Sequence, residues 1–209
     1  MTDIKEAVAG ERADLAELLA GLPPEDWDKP TLCAGWRVRE VVAHITMPFR
    51  LSTPRFLLGM VRAGGRFDRY ADRQARQDAA ELSAQDLTEC LRANINHPWK
   101  PPGGGYEGAL SHDVIHGLDL TVALGLDRQV PADRLHHILD TMKRRQVKYF
   151  AVDLSDTQLQ ATDLDWTYGT GEPLTGTAQD LLLVLCGRTL PPNHLTGPTA
   201  AHFTSGATR

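Results

Sequence analysis

Nine residues, PWKPPGGGY at positions 98–106, limit the architecture of this chain more than any other stretch. The three prolines remove backbone donors and the three glycines weaken any regular element, so neither helix nor strand can pass through. On either side, apolar residues recur at helical spacing. Ile4, Val8, Leu15, Leu18 and Leu19 predict a first helix over residues 4–19, ended by GLPPEDW. A loop bounded by Trp27 and Trp36 follows, and its Trp, Leu and Cys residues suggest that it is packed down. The next helix, RVREVVAHI, has Val38, Val41, Val42 and Ile45 in one stripe with His44 beside it. Pro48 and Pro54 should kink or interrupt it, although the apolar pattern resumes as RFLLGMV. GGRFDRYADRQARQDAA reads as polar, with a bend at Gly64 and Gly65, and SAQD at Ser83 is a capping box that opens a third helix.

Beyond the breaker, residues 108–124 are helical by pattern, and another helix follows Pro131. LQATDLDWTYGTGEPLTGT changes character to short strands and turns, AQDLLLVLCGRTL returns to helix, and residues 191–209 read as a loose end. The pattern predicts a mainly α chain. Residues 1–150 form an antiparallel bundle of four or five helices, and residues 151–209 form a small strand and helix appendage.

At 209 residues the chain can bury one sizeable core, and 42% apolar with 23% charged residues is an ordinary globular balance. A net charge of −5 leaves no basic footprint, which argues against a nucleic-acid partner. Lys143, Arg144 and Arg145 read as a solvated helix face. With no run of 18 apolar residues, no membrane partner is expected, and the N-terminus does not resemble a secretory signal. Cys33, Cys90 and Cys186 fall at unrelated spacings, a reduced, cytoplasmic pattern.

Chemistry concentrates in SHDVIHGLDL, residues 111–120, where His112 and His116 are four apart on one helical face. That spacing alone fits a packed core pair as well as two metal ligands. His44, on a second apolar helix, supplies a third imidazole. Bundle interiors build metal sites from inward side chains on facing helices, and three imidazoles leave a coordination position open for catalysis. His97, His136, His137, His194 and His202 lie in loops, on a polar helix or in the tail, and read as ordinary surface residues.

DWDKPTLCAGWRVREVVAHI, with Trp27, Pro30, Thr31, Cys33, Gly35, Trp36 and His44 in order, resembles the opening signature of the mycothiol-dependent maleylpyruvate isomerase family. That family lies within the wider DinB-like metalloprotein superfamily. SHDVIHGLDL resembles the family's later ligand helix, and residues 161–188 resemble its small C-terminal region. In the isomerases the position of His112 is usually glutamate, whereas DinB-like relatives commonly use three histidines.

The resemblance implies a DinB-like antiparallel four-helix bundle with a small α/β appendage. His44, His112 and His116 would hold a divalent ion, zinc first, with nickel, iron and copper as alternatives. It also implies mycothiol or another small thiol as cosubstrate, adding as a metal-bound thiolate to a small electrophile in transfer or isomerisation. Asp119 is a candidate to orient a ligand imidazole, and Asp113, pointing about 100° away, reads as structural. Trp36, Arg37 and Arg39 are candidates for binding the cosubstrate or an anionic substrate, and Cys33 reads as a packed loop residue. Two alternatives share the site: a hydrolase using metal-activated water, and a non-catalytic binder of metal or small ligands. A homodimer is among the assemblies left open.

Overall fold

The computed structural model describes residues 2–142 and 144–205. Lys143 and the side chains of Arg144 and Arg145, where the sequence reads as a basic helix face, lie outside the described residues. The described residues are mainly helical, with a small sheet toward the C-terminus. They divide into two compact units, Thr2–Leu120 and Thr121–Arg209. The composition-based division falls later, at residue 150.

The first unit contains α1 (Ile4–Ala20), α2 (Val38–Arg50), α3 (Thr53–Arg62), α4 (Phe67–Glu81), α5 (Ala84–Ala93) and most of α6 (Gly105–Ala123). Local chemistry sets the starts of the helices. Asp3 caps α1 by accepting from the Lys5 amide. Glu40 reaches back to accept from the Arg37 amide at 2.8 Å, opening α2. Ser83 and Asp86 form the capping box of α5 that SAQD predicts.

Pro48 sits inside α2, whereas the break before Pro54 falls at Leu51 and Ser52. Pro54 lies in the first turn of α3, where its missing amide has no helical partner to lose. Residues 67–81, which read as a polar stretch, are a full helix. The buried face of α4 is Tyr70, Ala71, Ala75 and Ala79, and alanine favours helix strongly while adding little apolar signal. Gly59 of α3 lies so close to the Tyr70 ring that an added Cβ would stand 2.2 Å from it, which explains glycine there. In this unit α2 packs on α4 and α5, α1 on α5, and α3 on α4.

The second unit carries α7 (Ala132–Thr141), α8 (Arg144–Tyr149), β1 (Thr157–Ala161), β2 (Thr167–Gly169), β3 (Glu172–Gly176), α9 (Ala178–Leu185) and β4 (Leu195–Thr196). Sheet order is β2-β1-β3-β4, with β1 and β3 parallel and the other pairs antiparallel. Every residue of α9 is buried, and Asp163 accepts from its first amide at 2.7 Å. The described tail is not loose: the Leu190 amide donates to Phe203, and the Ser205 amide to Leu190, each at 2.8 Å. Its proline- and glycine-rich composition hides this backbone pairing from a sequence reading. Among the described residues no helix is long and apolar enough to cross a membrane.

Candidate metal centre

The loop before α2 is folded on its own residues. Thr31 Oγ1 donates to the Trp36 carbonyl at 2.9 Å and accepts from the Cys33 amide at 3.2 Å. Gly35 has φ +81°, a left-handed conformation that glycine adopts without strain. The Leu32 amide donates to the Asp119 carbonyl at 3.0 Å, fastening the loop to α6. Trp36 Nε1 donates to Asp72 at 2.8 Å, and its ring lies 5.0 Å from that of His44 and 6.3 Å from that of His116. Trp27 is buried in the core.

α2 brings His44 inward, 6% exposed, and α6 brings His112 and His116 to the same place. Centroid separations of 5.0, 4.9 and 5.0 Å make the three rings a nearly equilateral triangle. One nitrogen from each lies within 4.8 Å of the others. Trp99, from the proline- and glycine-rich breaker, meets the His112 ring edge-on at 5.2 Å.

Two of the imidazoles are oriented by acids. His112 Nδ1 is 2.9 Å from Asp113 Oδ1, and His116 Nδ1 is 3.0 Å from Asp119 Oδ2, both carboxylates being fully buried. An ionised carboxylate only accepts, so Nδ1 of each ring carries the proton and Nε2 keeps its lone pair. Metal-ligating histidines use this arrangement. Asp113, read from the sequence as structural, thus holds the His112 ring. Its other oxygen accepts from Arg12 Nε at 2.8 Å in an ion pair shut off from solvent. Arg12 Nη1 also donates to the His97 carbonyl at 2.8 Å, and the guanidinium lies over the Phe49 ring.

His44 differs. Its buried Nδ1 has no hydrogen-bond partner among the described residues. Burial, then the neighbouring His116 and His112, pushes its pKa well below the ordinary histidine value, keeping the ring neutral, the form that ligates. A buried unpaired nitrogen beside two carboxylate-held imidazoles fits a divalent ion bound by three nitrogens. Cys33, His116 and Asp119 also lie within 4.8 Å of one another. Asp119 is occupied in holding His116, so Cys33 flanks the triad.

Arg37 and Arg39 are matched by acids already. Arg37 pairs with Asp28 at 2.8 Å and with Glu40, and Arg39 pairs with Asp28 at 3.0 Å. Of the other histidines, His97 accepts from the Trp99 amide and His194 pairs with Asp180 at 2.9 Å. Sequence reasoning missed Arg12, Trp99 and Asp72. For Arg12 a signal existed: it occupies the same face of α1 as Val8 and Leu15, where a charge demands a partner.

Residues 8–97 match the family described as the mycothiol maleylpyruvate isomerase N-terminal domain. Comparison with curated proteins finds no significant match. Among solved structures, a mycothiol-dependent maleylpyruvate isomerase is similar with a TM-score of 0.57 and 14% identity, over 96% of this chain and 97% of that one. A histidine-to-alanine mutant of such an isomerase is similar with a TM-score of 0.53, the same identity and the same coverage. At that identity the likeness speaks for the fold alone. The likeness to the mycothiol maleylpyruvate isomerase N-terminal domain therefore spans residues 8–97, which include the loop before α2 and His44 but not His112 and His116.

Proposed function

We propose that the protein is a metal-dependent thiol S-transferase or isomerase that uses mycothiol or a similar small thiol against a small electrophile. The observation that carries this reading is the triad itself, His44, His112 and His116 with ligand atoms within 4.8 Å, two rings held by buried carboxylates. When bound, a divalent ion held by neutral imidazoles keeps its full charge and favours the thiolate form of a thiol, more so than with a glutamate ligand. Zinc suits three nitrogen ligands with an open position.

The chain's own residues do the rest. Asp113 and Asp119 hold protons on Nδ1 of His112 and His116 and fix both rings, with Arg12 neutralising Asp113. Trp36 and Trp99 cover the ring edges and limit water around the triad. We read the helical part as a DinB-like four-helix bundle over residues 1–150, with residues 151–209 as its appendage. The cytoplasm, where small thiols stay reduced, is the proposed setting. Similarity of residues 8–97 to the mycothiol maleylpyruvate isomerase N-terminal domain supports the choice of thiol and reaction.

The test is metal content followed by a thiol panel. Wild type should bind about one zinc per chain, and His44→Ala, His112→Ala and His116→Ala should each lose it while keeping helical content. Conjugation or isomerisation of a model electrophile should require both metal and thiol. Unchanged metal in the three variants refutes the site. Turnover of esters without thiol replaces the reading with a hydrolase, and metal binding without turnover replaces it with a binding protein.

A further inference from the structure

The face formed by α3 and the start of α4 is built unlike the metal centre. α3 has no buried residue. Leu57, Leu58, Val61 and Phe67 are 57%, 50%, 76% and 48% exposed, four of the six large apolar side chains exposed among the described residues. On a helical wheel Leu57, Val61 and Leu58 fall in one stripe about 100° wide, with Arg55 and Arg62 along its edge.

Charge is concentrated there too. Residues 53–76 hold six arginines and two aspartates in a chain whose net charge is −5. Asp68 pairs with Arg66 and Asp72 with Arg76, each within 3.0 Å. Arg55, Arg62, Arg69 and Arg73 have no ion-pair partner among the described residues. A groove of about 800 Å³ runs between α3 and α4, lined by Arg50, Arg55, Leu58, Arg62, Tyr70 and Arg73 among others. Asp78 in that groove is neutralised by Arg50 at 2.7 Å, and Glu81 accepts from Gln77.

We propose that this face docks on an anionic lipid bilayer. Leu57, Leu58, Val61 and Phe67 enter the boundary between headgroups and acyl chains, and Arg55, Arg62, Arg69 and Arg73 take lipid phosphates. An apolar stripe edged by arginines is the construction of helices that lie in a membrane interface. Guanidinium forks match phosphate oxygens, and the groove offers room for a headgroup. A second copy of the chain fits less well. The apolar part of the face rests on four exposed side chains, Leu57, Leu58, Val61 and Phe67, a patch of the size single proteins commonly carry. Two-fold pairing would also bring Arg55, Arg62, Arg69 and Arg73 of both copies into one interface, where like charges oppose association. The rest of this acidic chain is repelled by an anionic surface, so docking is oriented. The sequence-based expectation of no membrane partner considered only spanning segments, which docking does not need.

Vesicle co-sedimentation tests this, using phosphatidylcholine alone and an equal mixture with phosphatidylglycerol, at low and high salt. Wild type should sediment with the mixed vesicles at low salt and stay in solution with phosphatidylcholine. Arg55→Gln with Arg62→Gln should weaken partitioning about thirty-fold. Leu57→Glu with Val61→Glu should abolish it. All four side chains are exposed, so both double variants should keep wild-type circular dichroism and metal content. No sedimentation with the mixed vesicles, equal binding to phosphatidylcholine, or undiminished binding by either variant overturns the proposal. So does a wild-type dimer in analytical ultracentrifugation that Leu57→Glu with Val61→Glu dissociates.

Discussion

α2 and α3 are consecutive helices separated only by Leu51 and Ser52, and each has an apolar side, yet they use it in opposite ways. In α2 the stripe of Val38, Val41, Val42 and Ile45 is sealed from solvent and carries His44 into the interior. In α3 only Phe56 and Met60 pack inward, against Tyr70 and its neighbours, while Leu57, Leu58 and Val61 face outward. The difference teaches that amphipathic pattern specifies a helix and a face but not what the face meets. Burial keeps the His44 ring neutral. Exposure, with arginines at the edge, makes a surface.

The comparison breaks first on charge insertion. Val42→Asp should cost about 4 kcal/mol or more and abolish cooperative thermal unfolding, because a fully buried carboxylate finds no counter-ion. The equivalent change in α3, Leu57→Asp, should shift stability by no more than about 0.5 kcal/mol. Similar losses in the two variants would mean that α3 is buried in solution.

Next in size, Arg12→Ala leaves Asp113 uncompensated and should destabilise by roughly 3–5 kcal/mol in denaturant unfolding. Because Asp113 also holds His112, zinc affinity should fall alongside. Asp119→Ala is milder for the fold and sharper for the site. Freeing His116 Nδ1 should weaken zinc binding about 10–100-fold in competition with a chelator. An unchanged affinity would show that the loop and α6 already fix that ring.

The smallest effect concerns the start of α2. Burial raises the Glu40 carboxyl, but hydrogen bonds from the Arg37 side chain and amide outweigh it, leaving its pKa below the ordinary glutamate value. A depressed folded-state pKa stabilises above the unfolded value, and that contribution is lost as pH falls through the folded one. Wild type should therefore lose more melting temperature on acidification across the glutamate range than Glu40→Gln does. Parallel curves would assign the acid sensitivity elsewhere.

Much of the fold was legible because its signals are local. Ser83 and Asp86 lie three apart and cap α5 as written, and the breaker keeps α5 and α6 apart, although its last two residues, Gly105 and Tyr106, already open α6. α4 escaped notice because its inward face is mostly alanine. Asp113 was misjudged by its wheel angle: it points away from the face that His112 and His116 share, yet its carboxylate still reaches Nδ1 of its neighbour. All three histidines of the candidate site were named from the sequence, His112 and His116 by their spacing on one helix and His44 by its place on a second apolar helix.

By itself the sequence determined most of the helical segments, where several of them start, and that His112 and His116 share a face. Backbone propensity, capping and helical period act within a few residues, so they are written in neighbouring positions. Only tertiary structure decided that His44 completes the triangle, that Arg12 reaches Asp113 across 101 positions, and that the apolar side of α3 stays outside. Those outcomes depend on which faces find one another once loops close, and the entropy of loop closure changes only slowly with the length between them.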